Sequence, residues 1–219
     1  MRIVIAGGHG KIALLLAERL TGRGHSAIAL IRNPAHASEV YATGAEPVVL
    51  DLEQAVVTDL AATLQGADAT VFAAGAGPGS SAARKYTVDR DGSVLLAEAA
   101  ERVGTRRFVQ ISAMGTGLAP APGTDEVWAA YIEAKTQAED DLRSRDLDWT
   151  ILRPGRLTDG PGTGSVTLAP PRIGRGDISR ADVADVVVAL LDAGHTAGHT
   201  LELVSGDTPI EAAVAALAD

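Results

Sequence analysis

The first thirteen residues constrain this chain most. A β-branched apolar run, Arg2 to Ala6, breaks into the glycine-rich turn Gly7-Gly8-His9-Gly10. Helical periodicity follows from Lys11, with Ile12, Leu15, Leu16 and Leu20 on one side. A strand that turns directly into a helix sets bare backbone N–H groups where a phosphate can sit. Glycine makes up 24 of the 219 residues, so a Gly-x-x-Gly carries weight here only because of the strand before it and the helix after it. Gly10-Lys11 is not the end of a P-loop, which needs four residues between its glycines and a Ser or Thr after the Lys, where this chain has Ile12. What remains is Gly7-x-x-Gly10-x-x-Ala13, a variant dinucleotide turn whose last small residue lets the helix approach the strand. The alternative is a tight strand-to-helix turn with no ligand.

Strand and helix signals alternate from this turn to residue 219 without a linker or repeat, which predicts a single domain over 1–219. No basic, apolar leader and no apolar run of membrane-spanning length is present in the sequence, and there is no Cys. We therefore expect a cytoplasmic protein without disulfides and without a membrane partner. A net charge of -9 and 3% aromatic residues argue against nucleic acid as a partner.

In chain order, Gly22 and Gly24 end the first helix, and Ser26 to Ile31 reads as a second strand that stops at Arg32-Asn33-Pro34. In dinucleotide folds an acidic residue near this point binds the ribose 2′-hydroxyl, whereas an Arg accommodates a 2′-phosphate. Arg32, with no carboxylate beside it in sequence, favours NADP(H) over NAD(H); the other reading is a solvated loop charge. Ala35 to Thr43 reads as a helix, Pro47 to Leu50 as a third strand and Asp59 to Leu64 as a helix. Asp51-Leu52 either borders an adenine pocket or caps the next segment. Ala69 to Ala74 reads as the fourth strand and opens into Gly75 to Ser81, a loop suited to close ligand approach or to plain connection. Val88 to Val103 has helical spacing, and Arg107 to Ile111 reads as a fifth strand that releases Ser112 at its carboxyl end.

Trp128 to Arg143 is helical in pattern and contains Tyr131-Ile132-Glu133-Ala134-Lys135. Residues four apart share a helix face, so the phenol and the ammonium can address one volume. A nearby ammonium favours phenolate, which would lower the Tyr131 pKa and fit it for proton exchange with a carbonyl or hydroxyl. A surface Tyr and Lys on an amphipathic helix is the competing reading.

Taken together, Gly7-x-x-Gly10-x-x-Ala13, Arg32-Asn33-Pro34, Asp51-Leu52, Ser112, Tyr131-x-x-x-Lys135 and Arg153-Pro154-Gly155 resemble the short-chain dehydrogenase/reductase superfamily. The likeness is to its atypical NAD(P)H-binding, epimerase/dehydratase-like members and spans nearly the whole chain. The resemblance implies that Gly7, His9, Gly10, Lys11 and Ile12 meet the pyrophosphate and that Arg32, followed by Asn33, meets the 2′-phosphate. It implies that Asp51 and Leu52 meet the adenine and that Ala73, Ala74 and Gly75 meet the sugar near the nicotinamide. It further implies that Ser112 holds the substrate oxygen and Tyr131 is the acid/base. Lys135 would bind the nicotinamide ribose and tune Tyr131, while Pro154 and Gly155 line the nicotinamide side. Two positions depart from the pattern. Ala13 replaces the third glycine, and Asp89 stands where superfamily enzymes often carry an Asn in a proton relay; an ionised Asp only accepts hydrogen bonds. Atypical members often have incomplete active sites, so the resemblance supports cofactor binding more firmly than turnover.

Asp148 to Arg153 reads as a sixth strand. Thr158 to Asp177, with repeated Gly and Pro, reads as loop and would wall a substrate pocket together with Thr116 to Asp125. Ser179-x-x-Asp182 resembles a capping box opening the helix Arg180 to Asp192. Thr200 to Val204 and Thr208 to Leu217 would be a last strand and helix. His195 and His199 have helical metal-pair spacing, but Gly194 and Gly198 oppose a helix there, so no metal site is expected. The whole predicts a doubly wound Rossmann-type α/β domain with a mainly parallel sheet of about seven strands. The function expected is NADP(H)-dependent reduction of a small carbonyl, quinone or similar acceptor. The alternatives are a non-catalytic NADP(H) sensor with a protein partner and, less favoured by the short chain after the sixth strand, a nucleotide-sugar epimerase or dehydratase.

Overall fold

In the computed structural model, which describes residues 1–218, the order of apolar residues along the first strands decides the architecture. In β1 (Arg2–Ala6), Ile3 and Ile5 enter one core while Val4 and Ala6 enter another; in β2 (Ser26–Ile31), Ala27, Ala29 and Ile31 are separated in the same way from Ile28 and Leu30. Strands buried on both faces require helices on both sides, and the chain supplies them. On one face α1 (Lys11–Gly22) packs beneath the later helices. α2 (Ala37–Ala42) precedes β3 (Glu46–Val49), and α3 (Val57–Leu64) covers the opposite face before β4 (Ala69–Phe72). A short α4 (Ala82–Arg84) runs into a π-helical stretch, Lys85–Asp91, and then α5 (Gly92–Val103), β5 (Arg107–Ile111), α6 (Glu126–Arg143) and β6 (Asp148–Pro154). After these come β7 (Arg156–Thr158), β8 (Ser165–Ala169), β9 (Asp177–Ser179), α7 (Arg180–Asp192), β10 (His199–Ser205), β11 (Thr208–Pro209) and α8 (Ile210–Ala215).

The result is a single α/β Rossmann-type domain with one nine-stranded sheet, in the order β11-β8-β10-β6-β5-β4-β1-β2-β3, and a separate β7-β9 pair. From β3 to β6 and on to β10 every pairing is parallel; β8 runs antiparallel to both β10 and β11. Nine strands rather than about seven arise because Ser165–Ala169 is a strand inside the stretch expected to be loop, and because Thr208–Pro209, expected to open the last helix, pairs with it as β11. Val166 and Leu168 point into the core and Thr167 outward, and the strand is held by pairing with distant β10. Two boundaries also shift. β4 ends at Phe72, so Ala73 and Ala74 already belong to the loop, and the helix expected from Val88 begins with the wider π turn that carries Lys85 and Asp89. Ser179 opens α7 as expected, its Oγ accepting from the Asp182 N–H at 2.9 Å. Asp182 is fully buried and accepts from the N–H groups of Thr163 and Gly164, so the residue that Ser179 caps also pins the chain entering β8. His195 sits in a 3-10 turn with Nε2 3.0 Å from the Val214 carbonyl oxygen.

Candidate cofactor and active site

The strand order reverses between β1, flanked by β2, and β4, and open sheets of this kind leave a crevice beyond the carboxyl ends of such strands. The glycine turn fills one wall of that crevice. Gly7 has φ +78°, and a Cβ there would lie 2.5 Å from the Ala74 Cα; one at Gly8 would lie 2.5 Å from the Ala29 Cβ. These two glycines let the turn press against β2 and the segment that follows β4, while Gly10 serves as N-cap of α1 without any side-chain cap and with no acidic residue in the first helical turn. The N-terminal N–H groups of a helix packed on a fully buried Ala13 are therefore left facing the crevice. Those donors suit a pyrophosphate.

A cleft of about 360 Å³ opens there, and Gly7, His9, Gly10, Arg32, Asn33, Asp51, Leu52, Ala73, Ala74 and Gly75 all line it. Asp51 does two things at once, lining the cleft and accepting from the Glu53 N–H at 3.0 Å. His9 stacks on His36 with ring centroids 3.6 Å apart. Lys11 turns outward, its Nζ 2.7 Å from Asp159 Oδ2. Pro154 and Gly155 lie outside the cleft lining. A Cβ on Gly155 would sit 2.2 Å from the Gly176 carbonyl oxygen, so close backbone packing accounts for that glycine.

Around Arg32 the fold brings in a carboxylate that is not its neighbour in sequence. Glu53, just past β3, lies 3.3 Å from Arg32 Nη1. Glu53 also pairs with Arg84 at 2.6 Å and accepts from the Thr87 hydroxyl at 2.7 Å. Arg84, then Thr87 and Arg32, hold the Glu53 carboxyl below its ordinary range against the opposing effect of burial. Two guanidiniums thus converge on one carboxylate; Arg84 and Glu53, both cleft residues, carry no motif in the sequence.

The second group surrounds Tyr131. Asp125 caps α6 by accepting from the Trp128 N–H at 2.9 Å, which starts the helix that carries Tyr131, Lys135 and Glu139. Lys135 does not act on Tyr131 as expected. Its buried Nζ lies 3.4 Å from Asp89 Oδ1, donates to the Ile111 carbonyl at 3.2 Å and stands 5.9 Å from the Tyr131 ring centroid. Asp89, fully buried, also accepts from the Ala76 N–H at 3.0 Å and so anchors the loop after β4. Burial, then the Asp89 charge, push the Tyr131 phenol above its ordinary value, opposite to the lowering that the Tyr-Lys spacing predicts. A second ammonium, Lys85, is 5.4 Å from the same ring and donates to the Gly77 carbonyl at 2.9 Å.

Ser112 is likewise engaged. Its Oγ donates to Glu139 Oε1 at 2.6 Å, and the buried Glu139 takes Arg153 Nε at 3.0 Å and Arg143 Nη2 at 2.6 Å. A hydroxyl has one proton, so in this arrangement Ser112 cannot donate to a substrate oxygen without leaving Glu139. Beside this cluster a larger cavity of about 620 Å³ is lined by Thr116, Gly117, Leu118, Arg153, Pro171, Arg172 and Glu202. Both stretches expected to wall a substrate pocket therefore meet at one cavity. Among the described residues no group of three or more His, Asp or Glu is arranged to hold a metal ion, and no helix is long and apolar enough to cross a membrane.

Comparison with known proteins gives this geometry a context. A family model described as NAD(P)H-binding matches residues 7–194. A Bacillus subtilis protein described as an uncharacterized sugar epimerase, YhfK, is 35% identical over 215 residues, which is 98% of this chain and 99% of that protein. A solved Bacillus halodurans structure, provisionally described as an NAD-dependent epimerase/dehydratase, superposes with a TM-score of 0.90 at 36% identity, covering 99% of both chains. The Lactococcus lactis oxidoreductase ylbE gives a TM-score of 0.83 at 27% identity, covering 99% of this chain and 96% of that one. With a glycine turn and an uncapped helix at the switch point and a family match over most of its length, this chain belongs to the NAD(P)H-binding family of atypical short-chain dehydrogenase/reductase-like, epimerase/dehydratase-like proteins.

Proposed function

We propose that the protein is an NADPH-dependent oxidoreductase of the short-chain type that reduces a small carbonyl, quinone or similar acceptor. One observation carries the reading: a cleft lined by the uncapped N-terminus of α1 and by Arg32 and Arg84, two guanidiniums that share the single carboxylate of Glu53 and so stand where a further phosphate could join or displace it. The turn from Gly7 through His9, Gly10 and Lys11 to Ile12 offers backbone donors to the pyrophosphate. Arg32 and Asn33 receive the 2′-phosphate, with Arg84 opposite. Asp51 and Leu52 flank the adenine, and Ala73, Ala74 and Gly75 floor the path toward the nicotinamide. When bound, the nicotinamide supplies a hydride. Tyr131, a neutral phenol facing Lys85 and Lys135, donates a proton to the acceptor oxygen. Lys135 and Asp89 form a buried pair that fixes the loop after β4 beside the phenol. The test is turnover of NADPH with carbonyl and quinone acceptors by the wild type and Tyr131→Phe. Loss of turnover with NADPH affinity retained supports the reading, and equal turnover removes Tyr131 from the mechanism.

A second reading, an NADP(H)-binding sensor that signals to a protein partner without turnover, is favoured by the self-satisfied polar groups around Ser112 and Lys135. Its signature is a partner whose binding differs between the oxidised and reduced cofactor.

A further inference from the structure

Resting on the oxidoreductase reading, we infer that the acceptor carries an acidic group, a carboxylate or a phosphate, which Arg172 binds at the rim of the 620 Å³ cavity. The nearby Arg153, Arg156 and Arg180 all pair with carboxylates, whereas Arg172, exposed at the cavity rim, has no ion pair among the described residues. The other charged groups in the lining are Arg153, neutralised by Glu139, and Glu202, so Arg172 is the cavity's one unpaired cation among the described residues and the group that an anion entering from solution would meet.

The turn that carries Arg172 is held in place. Buried Glu202, on β10, accepts from the Ile173 N–H at 2.9 Å, which anchors the residue after Arg172 over the cavity. The same cavity comes close to Ser112. Thr116, in the lining, has its Oγ1 3.4 Å from Ser112 Oγ. Arg153, also in the lining, shares Glu139 Oε1 with Ser112, at 3.0 and 2.6 Å. A substrate lying along this cavity would place its acid on Arg172 and its far end beside Ser112. Guanidinium pairing with carboxylate or phosphate is charge-assisted and directional, so the acid fixes orientation as well as affinity.

The test measures binding before catalysis. By calorimetry on the purified protein without cofactor, 4-(hydroxymethyl)benzoate and 3-hydroxybutanoate are each compared with their methyl esters, and 4-(hydroxymethyl)phenyl phosphate is added to separate phosphate from carboxylate as the source of the charge. At least one acid should bind about tenfold tighter than its uncharged counterpart. That difference should vanish in Arg172→Ala and persist in Arg175→Ala, which removes an equal charge from the same loop without touching the cavity lining. Equal affinity of acids and esters, no measurable binding of any acid, or a preference that survives Arg172→Ala overturns the inference. Because these titrations contain no NADPH, failure of NADPH to bind would sink the oxidoreductase reading alone, and loss of the acid preference would sink the acid subsite alone.

Discussion

At the Gly7 turn and around Tyr131 the molecule handles polar groups in opposite ways. The first region leaves donors open at the N-terminus of α1, which starts at Gly10 without a side-chain cap, and holds Arg32 more than half exposed beside Glu53. The second region closes on itself, with Lys135 on Asp89, Ser112 on Glu139 and Glu139 on two arginines, nearly all of it buried. Buried charges persist only when paired and hydrogen-bonded, so the second region is built to be rigid and the first to receive something. The difference teaches that binding and chemistry are separable demands on one cleft. A protein can keep the first while the second is poised at a cost to reactivity.

Four substitutions sharpen or break that contrast. The largest effect should come from Glu139→Leu, which strands Arg153 without its buried partner; a loss of about 3–5 kcal/mol in urea unfolding is expected. A loss below about 1 kcal/mol would mean the cluster is not the rigid unit described. Next is Gly7→Ala. It places a Cβ against Ala74 at a positive φ, and strain plus overpacking should remove about 3 kcal/mol and weaken NADPH binding with it. Unchanged stability would show that the turn is looser than its packing implies.

Tyr131→Phe should lower turnover by about a hundredfold or more with little change in unfolding free energy. The phenol pKa is raised in the folded protein, so the folded state holds this proton more tightly than the unfolded chain. The stability this contributes is complete below the ordinary Tyr value near 10 and is lost as pH rises above it. A difference titration of wild type against Tyr131→Phe should therefore show no Tyr131 phenolate below about pH 10, and phenolate near neutral pH would reverse its role from acid to base. The smallest effect is that of Glu53→Gln. Removing the carboxylate that competes with a phosphate for Arg32 and Arg84 should tighten NADPH binding by about threefold. Weaker binding instead would make Glu53 an organiser of the two guanidiniums rather than their competitor.

Much of the fold was legible because it rests on local signals: apolar strands, glycine stops, and caps such as Ser179. The opening turn was legible for the same reason, since Gly7, Gly8, Gly10 and Ala13 lie within one strand-turn-helix unit. What could not be read joins residues far apart. Glu53 meets Arg32 only because β3 pairs with β2, and Arg84 arrives on another helix altogether. Glu139 lies four positions beyond Lys135 on the same helix, a spacing that marks it as facing the site, but its partners Ser112 and Arg153 come from β5's end and from β6. The Tyr131-Lys135 spacing was read correctly as helical and wrongly as a tuned pair, because burial and Asp89 outweigh an ammonium that is already engaged. Strand Ser165–Ala169 was hidden by the glycines and prolines around it, its alternation too short to register until β10 paired with it.

A fluorescence titration of the purified protein with NADPH and NADH, repeated on Arg32→Ala, decides which nucleotide the cleft takes. The account predicts NADPH binding tighter than NADH in the wild type and a loss of about tenfold or more in NADPH affinity in the variant, with NADH affinity little changed. Equal binding of the two nucleotides, untouched by the substitution, would contradict the assignment of this cleft to a 2′-phosphorylated cofactor.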